Sequence, residues 1–282
     1  MVELEGVVRT VRGAPPQLAG VDLKLAAGER AVVLERFGGG ASTLLQLILG
    51  MVRCAEGRVT VFGLDPVAEP VAVRRRIGYM PPLPLLPGSL RIGHVLDLHA
   101  GLFPRWDRGR EAALLDRFRL ARGARLGSLS HLEGRRVGLL CALAHHPELL
   151  LLDGPAGGLA GRERADWMEE VHVLVGEEAC AAIVATAHAE DVQGARGRLL
   201  ILDGGRWLAD LPLEDVARRY RIVQLRTRAI EDLAARPGFV RGRVVGRWAR
   251  GLFDGNAGSL GGGDVRVPTV EELLTELCEG RA

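Results

Sequence analysis

The chain has 282 residues, 48% of them hydrophobic, and a formal net charge of +2. That content suffices for one large α/β domain with an appendage, and the near-balanced charge supplies no electrostatic basis for a nucleic-acid partner. Cys54, Cys141, Cys180 and Cys278 are widely spaced, with no C-x-x-C pair, which points to reduced thiols in a cytosolic protein and away from a disulfide framework or a zinc site.

Residues 1 to 30 read as two short strands joined by the turn RGAPP, with Val2, Leu4 and Gly6 alternating in the first and Val21, Leu23 and Leu25 in the second. The stretch VVLERFGGGASTLLQLILG, residues 32 to 50, reads as a buried strand, a glycine turn and an amphipathic helix. GRVTVFGLDP at 57 to 66 is a strand and turn, Val71 to Arg76 a short basic helix, and IGYM at 77 to 80 a strand. PPLPLLPG at 81 to 88 has four prolines and cannot be regular structure. Helical periodicity runs from Leu90 to about Arg125, broken near FPRW, and Ser130 is placed to cap a long helix ending at Pro147. LLLLD at 149 to 153 is an apolar strand ending in a carboxylate, 162 to 176 a helix, AAIVATAH at 181 to 188 a buried strand, and GRLLILDGGRWLAD a hairpin. This alternation predicts a mainly parallel, helix-covered sheet. Beyond about Arg221 the pattern changes: RIVQLR and GRVVGRW read as strands, GNAGSLGGG as a flexible turn and TVEELLTELCEG as a terminal helix, a small α+β extension over 222 to 282.

The glycine turn has the layout of a phosphate-binding loop, in which backbone N–H groups and a helix N-terminus cradle an anion. Against the pattern G-x-x-x-x-G-K-[ST], Gly40 takes the second glycine, Glu35 the first, Ala41 the lysine and Ser42 the magnesium ligand, with Thr43 beside it. Gly38, Gly39, Gly40, Ser42 and Thr43 are therefore the candidate anion-binding residues, but the cation is missing and an acid is present. A lysine ammonium beside a phosphate oxygen is worth roughly 4 kcal/mol at an effective dielectric of about 20, and a carboxylate acts with the opposite sign. Micromolar affinity amounts to only about 8 kcal/mol. Lys24, the only lysine, lies upstream of the loop, leaving Arg36 as the nearest substitute cation. Ser42 and Thr43 equally suit a plain helix start, where hydroxyls cap the backbone without any ligand.

In the order of its motifs the chain resembles the ATP-binding subunits of ABC transporters, particularly those paired with exporter-like permeases. GERAVVL, STLL, EGRVTVFG, RRIGYMP, LS before a long helix, LLLLDGPAGGL and ATAH all fall where that family has counterparts. The resemblance covers about residues 1 to 221 and implies a P-loop NTPase-like α/β fold: a mainly parallel core sheet, an N-terminal antiparallel subdomain and a helical subdomain at about 88 to 140. It further implies ATP and magnesium as ligands, a head-to-tail dimer, a membrane permease as partner, and a cytoplasmic protein held peripherally at the inner face of the cell membrane. No apolar run approaches the roughly 18 residues of a membrane span, and MVELEGVVRT has no signal-peptide pattern.

The family's chemistry transfers only in part. Val11 stands where an adenine-stacking aromatic is usual, and Pro82 where a glutamine senses magnesium and the permease. The signature segment reads Leu129, Ser130, His131, Leu132, retaining Ser130 but neither glycine. Asp153 remains at the carboxylate that supports magnesium, Gly154 replaces the glutamate that polarises water, and Ala160 replaces the aspartate linking the two sites. His188 remains at the switch histidine that contacts the γ-phosphate. A general base contributes typically 100- to 10,000-fold, and phosphoryl transfer depends on charge neutralisation and positioning. The joint loss of base, lysine, glutamine and signature glycines points to a fold kept without its reaction. Ser42 and Asp153 remain the candidate magnesium ligands. The expected role is a structural or regulatory subunit, as a homodimer or beside an active ATPase. The rivals are a weak ATPase using Arg36 and His188 to energise export, and a scaffold for a non-nucleotide anion.

Overall fold

The computed structural model describes residues 1–11, 13–36, 38–82, 87–226, 230–255 and 264–278. Its first elements are β1 (Val2–Arg9) and β2 (Leu18–Leu25), followed by β3 (Arg30–Glu35), α1 (Ala41–Ile48) and β4 (Glu56–Val61). Strands β2, β1 and β4 form an antiparallel sheet in that order. The expected Val2, Leu4, Gly6 alternation holds only to Leu4: the register shifts there, Gly6 turns to φ 56°, and the buried face resumes at Val7. The bulge leaves the Gly6 N–H to donate to Asp22 Oδ1 at 2.7 Å, so the residue that breaks the pattern has its polar group satisfied.

After α2 (Pro70–Arg74) and β5 (Ile77–Met80) come α3 (Ile92–Leu102), α4 (Arg108–Phe118) and α5 (His131–Leu143), which make the helical part. Asp107 caps α4 through the Gly109 and Arg110 N–H groups, and Ser130 and Glu133 cap α5 reciprocally. Helix α5 ends at Leu143, short of the expected Pro147, because the chain turns through His146 at φ 50° before β6. Of the proline-rich stretch, residues 83–86 lie outside the described residues.

Strands β6 (Leu149–Asp153) and β7 (Ala181–Thr186) flank α6 (Gly161–Glu177), and β8 (Arg198–Asp203) and β9 (Arg206–Pro212) form the expected hairpin. The main sheet runs β5-β6-β7-β3-β8-β9, parallel except for the last pair. Helices cover both faces of its parallel part, which is why β6 and β7 are apolar throughout and not alternating. Leu150, Leu152, Ala182 and Val184 point to the core shared with α5 and α6; Leu149, Leu151, Ala181 and Ile183 point to the one shared with α1 and the antiparallel sheet. Pairing of Leu34 with Thr186 and of Asp153 with Ala185 brings the ends of β3, β6 and β7 to one edge. Each of the three candidate loops begins there.

The remaining elements are α7 (Leu213–Arg219), β10 (Tyr220–Leu225), α8 (Glu231–Ala234), β11 (Phe239–Val245), β12 (Trp248–Asp254), β13 (Asp264–Arg266) and α9 (Val270–Cys278). A third sheet has the order β11-β12-β10-β13. GRVVGRW is not one strand but the closed end of a hairpin: β11 stops at Val245, Gly246 turns with φ 64°, and β12 starts at Trp248. Most of GNAGSLGGG, residues 256–263, lies outside the described residues. Helix α9 packs on the 3₁₀ turn Ala189–Val192, and Ile222, Leu252 and Leu273 join the core beneath α6.

Candidate functional site

The loop between β3 and α1 is built as the glycine pattern predicts, and two of its glycines are sterically required. A Cβ on Gly40, where φ is 102°, would lie 2.2 Å from the Gln17 carbonyl oxygen; one on Gly39 would lie 2.8 Å from the Arg36 carbonyl. Gly38, at φ 73°, meets nothing within 4 Å. The Gly39 N–H donates to Arg36 O at 2.7 Å, closing the turn, and Thr43 is buried against the sheet.

The anion position of this cradle is taken by the chain itself. Glu35 Oε2 accepts the Ala41 N–H at 2.9 Å, so the side chain at the end of β3 folds back to the N-terminus of α1. A helix N-terminus favours a carboxylate as it favours a phosphate. Burial nevertheless pushes the Glu35 carboxyl above its usual range, the Ala41 N–H opposing this and the charge of Asp153 adding to it.

Asp153, only 3% exposed at the end of β6, accepts a hydrogen bond from Ser42 Oγ at 2.8 Å and a longer one from Tyr79 OH at 3.4 Å. Burial also pushes this carboxyl up, with Ser42 and Tyr79 opposing, and Tyr79 is raised by burial and by its acidic neighbour. The structure thus unites Gly38, Gly39, Gly40, Ser42, Thr43 and Asp153, and adds Glu35 as occupant and Tyr79 as a partner of Asp153. Two carboxylates, Glu35 and Asp153, are close enough across the loop for the charge of one to raise the pKa of the other.

Two other predicted residues are separately engaged. Ser130 Oγ accepts the Glu133 N–H at 3.2 Å as the cap of α5. His188 is exposed; its backbone N–H donates to Thr186 Oγ1 at 3.1 Å, while its ring makes no hydrogen bond among the described residues. The sequence reading missed the ties that hold the surrounding loops. Arg164 on α6 grips Asp191 through two bonds of 2.7 and 2.6 Å, Thr186 Oγ1 donates to the same carboxylate, and His172 Nε2 donates to the Asp191 carbonyl at 2.6 Å. Trp167 Nε1 donates to Pro155 O at 3.0 Å. The available signal was an acid three residues after His188 and an arginine on the buried stripe of a helix.

Comparison with known proteins gives this geometry its family. The ABC transporter family model matches residues 18–157. The methionine import ATP-binding protein MetN of Caulobacter vibrioides is 32% identical over 265 residues, covering 87% of this chain and 77% of that protein. The chain belongs to the ATP-binding subunits of ABC transporters. The daunorubicin resistance ATP-binding protein DrrA3 of Streptomyces coeruleorubidus is 34% identical over 203 residues. The probable multidrug ABC transporter ATP-binding protein YbhF of Escherichia coli is 29% identical over 210 residues. The chain spans 64% of the length of DrrA3 and 36% of YbhF, and these matches cover 70% and 72% of this chain. A solved ATP-binding subunit of an ABC transporter superposes with TM-score 0.65 at 22% identity, over 77% of this chain and 91% of that one. A dimeric ATP-binding cassette bound to ADP and Pi gives TM-score 0.66 at 23% identity, over 76% and 99%. The solved structures support the ABC fold.

The ligands this family implies are ATP and magnesium, and the residues present do not fit them. A triphosphate needs the Ala41 N–H that Glu35 already holds. It would bring further negative charge beside Glu35 and Asp153, with alanine at the lysine position. The two candidate metal ligands, Ser42 and Asp153, hydrogen-bond each other directly. No described helix is long and apolar enough to cross a membrane.

Proposed function

We propose that this chain is an ABC nucleotide-binding-domain homologue that does not hydrolyse ATP and serves as a structural or regulatory subunit on a membrane permease. The observation that carries this reading is the bond from the Ala41 N–H to Glu35 Oε2, an internal anion in the place of the phosphate. Gly154 at the family's general-base position and Pro82 at the glutamine position support it. The unit that docks is residues 1–221, with 222–282 as an accessory part, and the protein sits at the cytoplasmic face of the membrane through its partners. It pairs with itself or with a competent ATPase subunit. Beside such a subunit this chain offers one composite site a closed phosphate loop and the other a signature segment whose serine caps its own helix.

Purified protein with magnesium and ATP should release phosphate at the rate of a protein-free blank. Robust hydrolysis that disappears in Asp153→Asn or His188→Ala would remove the proposal.

A further inference from the structure

Between β5 and the helices lies a cavity of about 440 Å³, outside the phosphate loop. Its walls are mostly apolar: Met80, Leu126, Leu129, Val137 and Cys141 line it. The volume falls in the range of roughly 300–1,000 Å³ common for small-molecule sites. The room is made in part by Gly134 and Gly138, one turn apart on α5, which leave the helix bare there; a Cβ on Gly134 would meet nothing within 4 Å. Each glycine costs a helix interior about 1 kcal/mol relative to alanine, so the open face is kept against helix propensity.

One charged side chain lines this cavity with no counter-charge. Arg135 is 3% exposed, and its guanidinium donates only to backbone carbonyls: Nε and Nη2 to Gly157 O at 3.0 and 2.7 Å, Nη1 to Pro81 O at 3.4 Å. No carboxylate among the described residues lies within 4 Å of it, in contrast to Arg164, equally buried and gripped by Asp191. A guanidinium has five N–H donors; three bonds leave two to satisfy. Buried charges in proteins are as a rule paired, because an uncompensated one is costly. Burial alone displaces the Arg135 pKa downward, with no opposing acid. His99, on the same wall, donates Nδ1–H to Val95 O at 2.8 Å, which leaves Nε2 as an acceptor when the ring is neutral.

We propose that this cavity is a binding site for a small amphipathic organic carboxylate, its anionic end paired with Arg135 and its apolar body against Met80, Leu126, Leu129 and Val137. No residue of the phosphate loop lines the cavity, although Tyr79, the partner of Asp153, and Leu129 of the signature segment do; the proposal does not rest on whether nucleotide binds.

The test is isothermal titration of the full chain with decanoate and 4-phenylbutyrate below their micelle concentrations. Decanol serves as the uncharged control and acetate as the control without an apolar body. Saturable binding of one of the two carboxylates, at least about tenfold tighter than decanol and absent for acetate, is expected from a charge-assisted pair. Arg135→Gln, which retains donors for the carbonyls, should weaken that binding at least about tenfold. Should that variant fail to fold, Gly138→Leu fills the cavity from a position where a Cβ meets Met80 only at ordinary contact, 3.5 Å; it should fold and lose the ligand. Equal affinity for decanol, unchanged binding in a folded Arg135→Gln or in Gly138→Leu, or no saturable binding of either carboxylate would overturn the assignment.

Discussion

Removing the internal anion and restoring the missing cation should convert this phosphate loop into a nucleotide site. Glu35 Oε2 lies 2.9 Å from the Ala41 nitrogen, the distance a phosphate oxygen would take. A phosphate seated there would displace the carboxylate to on the order of 5 Å, where two unit charges repel by about 3 kcal/mol at an effective dielectric of about 20. A lysine at position 41 would add about 4 kcal/mol of attraction at about 4 Å. The sum is an upper bound for a partly solvated loop, yet one third of it already corresponds to roughly a 50-fold gain in affinity. Glu35→Ala combined with Ala41→Lys should therefore bind magnesium ATP at least that much more tightly than the parent in isothermal titration at fixed ionic strength, with each single variant between. Micromolar binding by the parent, or a folded double variant no tighter than the parent, would refute the electrostatic argument. The double variant need not hydrolyse what it binds, because Gly154 still occupies the general-base position.

The same carboxylates make stability depend on pH. Glu35 and Asp153 both have folded-state pKa values above their ordinary ones, so the folded chain holds more protons and their contribution to stability falls as pH rises through the folded values. Glu35→Gln keeps an oxygen for the Ala41 N–H and should raise the Tm at pH 7, with the difference closing by about pH 4; a lower Tm than the parent at pH 7 would contradict this. Glu272 behaves oppositely: its hydrogen bonds with Arg266, aided by the Thr269 N–H and by Arg250, hold its pKa down to about 2. Its contribution is complete above its ordinary value and lost as pH falls towards about 2, so Glu272→Gln should lower stability by roughly 1–2 kcal/mol at pH 7, after discounting for solvent, and by nothing near pH 2. Asp191→Ala removes the two-bond partner of the buried Arg164 guanidinium and leaves it the exposed Glu190 carboxylate at 3.1 Å, and should cost about 2–3 kcal/mol by urea unfolding; a loss below about 1 kcal/mol would mean that the pair is not structural.

The fold was legible because burial leaves a period in the sequence. LLLLD and AAIVAT have no polar face, and only a sheet covered on both sides accepts such strands. The cap at Ser130 was legible for a similarly local reason, a serine just before a long helical run, while the return bond from Glu133 came only with the structure. What escaped was set by single residues with unusual backbone or distant partners. Gly6 shifts the phase of β1, His146 ends the turn after α5, and Gly246 splits GRVVGRW into a hairpin. At the site, the acid at position 35 was visible as a reversed charge, but its return to the Ala41 N–H was not, because that depends on a side-chain rotamer. The partnership of Tyr79 with Asp153 spans 74 residues, and that of Arg164 with Asp191 spans 27; no local pattern encodes either.

The placement of α9 has a practical corollary. Leu273 is buried, and Val270, Leu274 and Leu277 lean on the core that includes Val192, a few residues past His188. Shortening the gene to the first 221 codons would strip a hydrophobic cover from the segment that follows the histidine and leave Val192 facing water. Expression work, domain grafts and any tag that must leave the histidine segment undisturbed should therefore keep the tail.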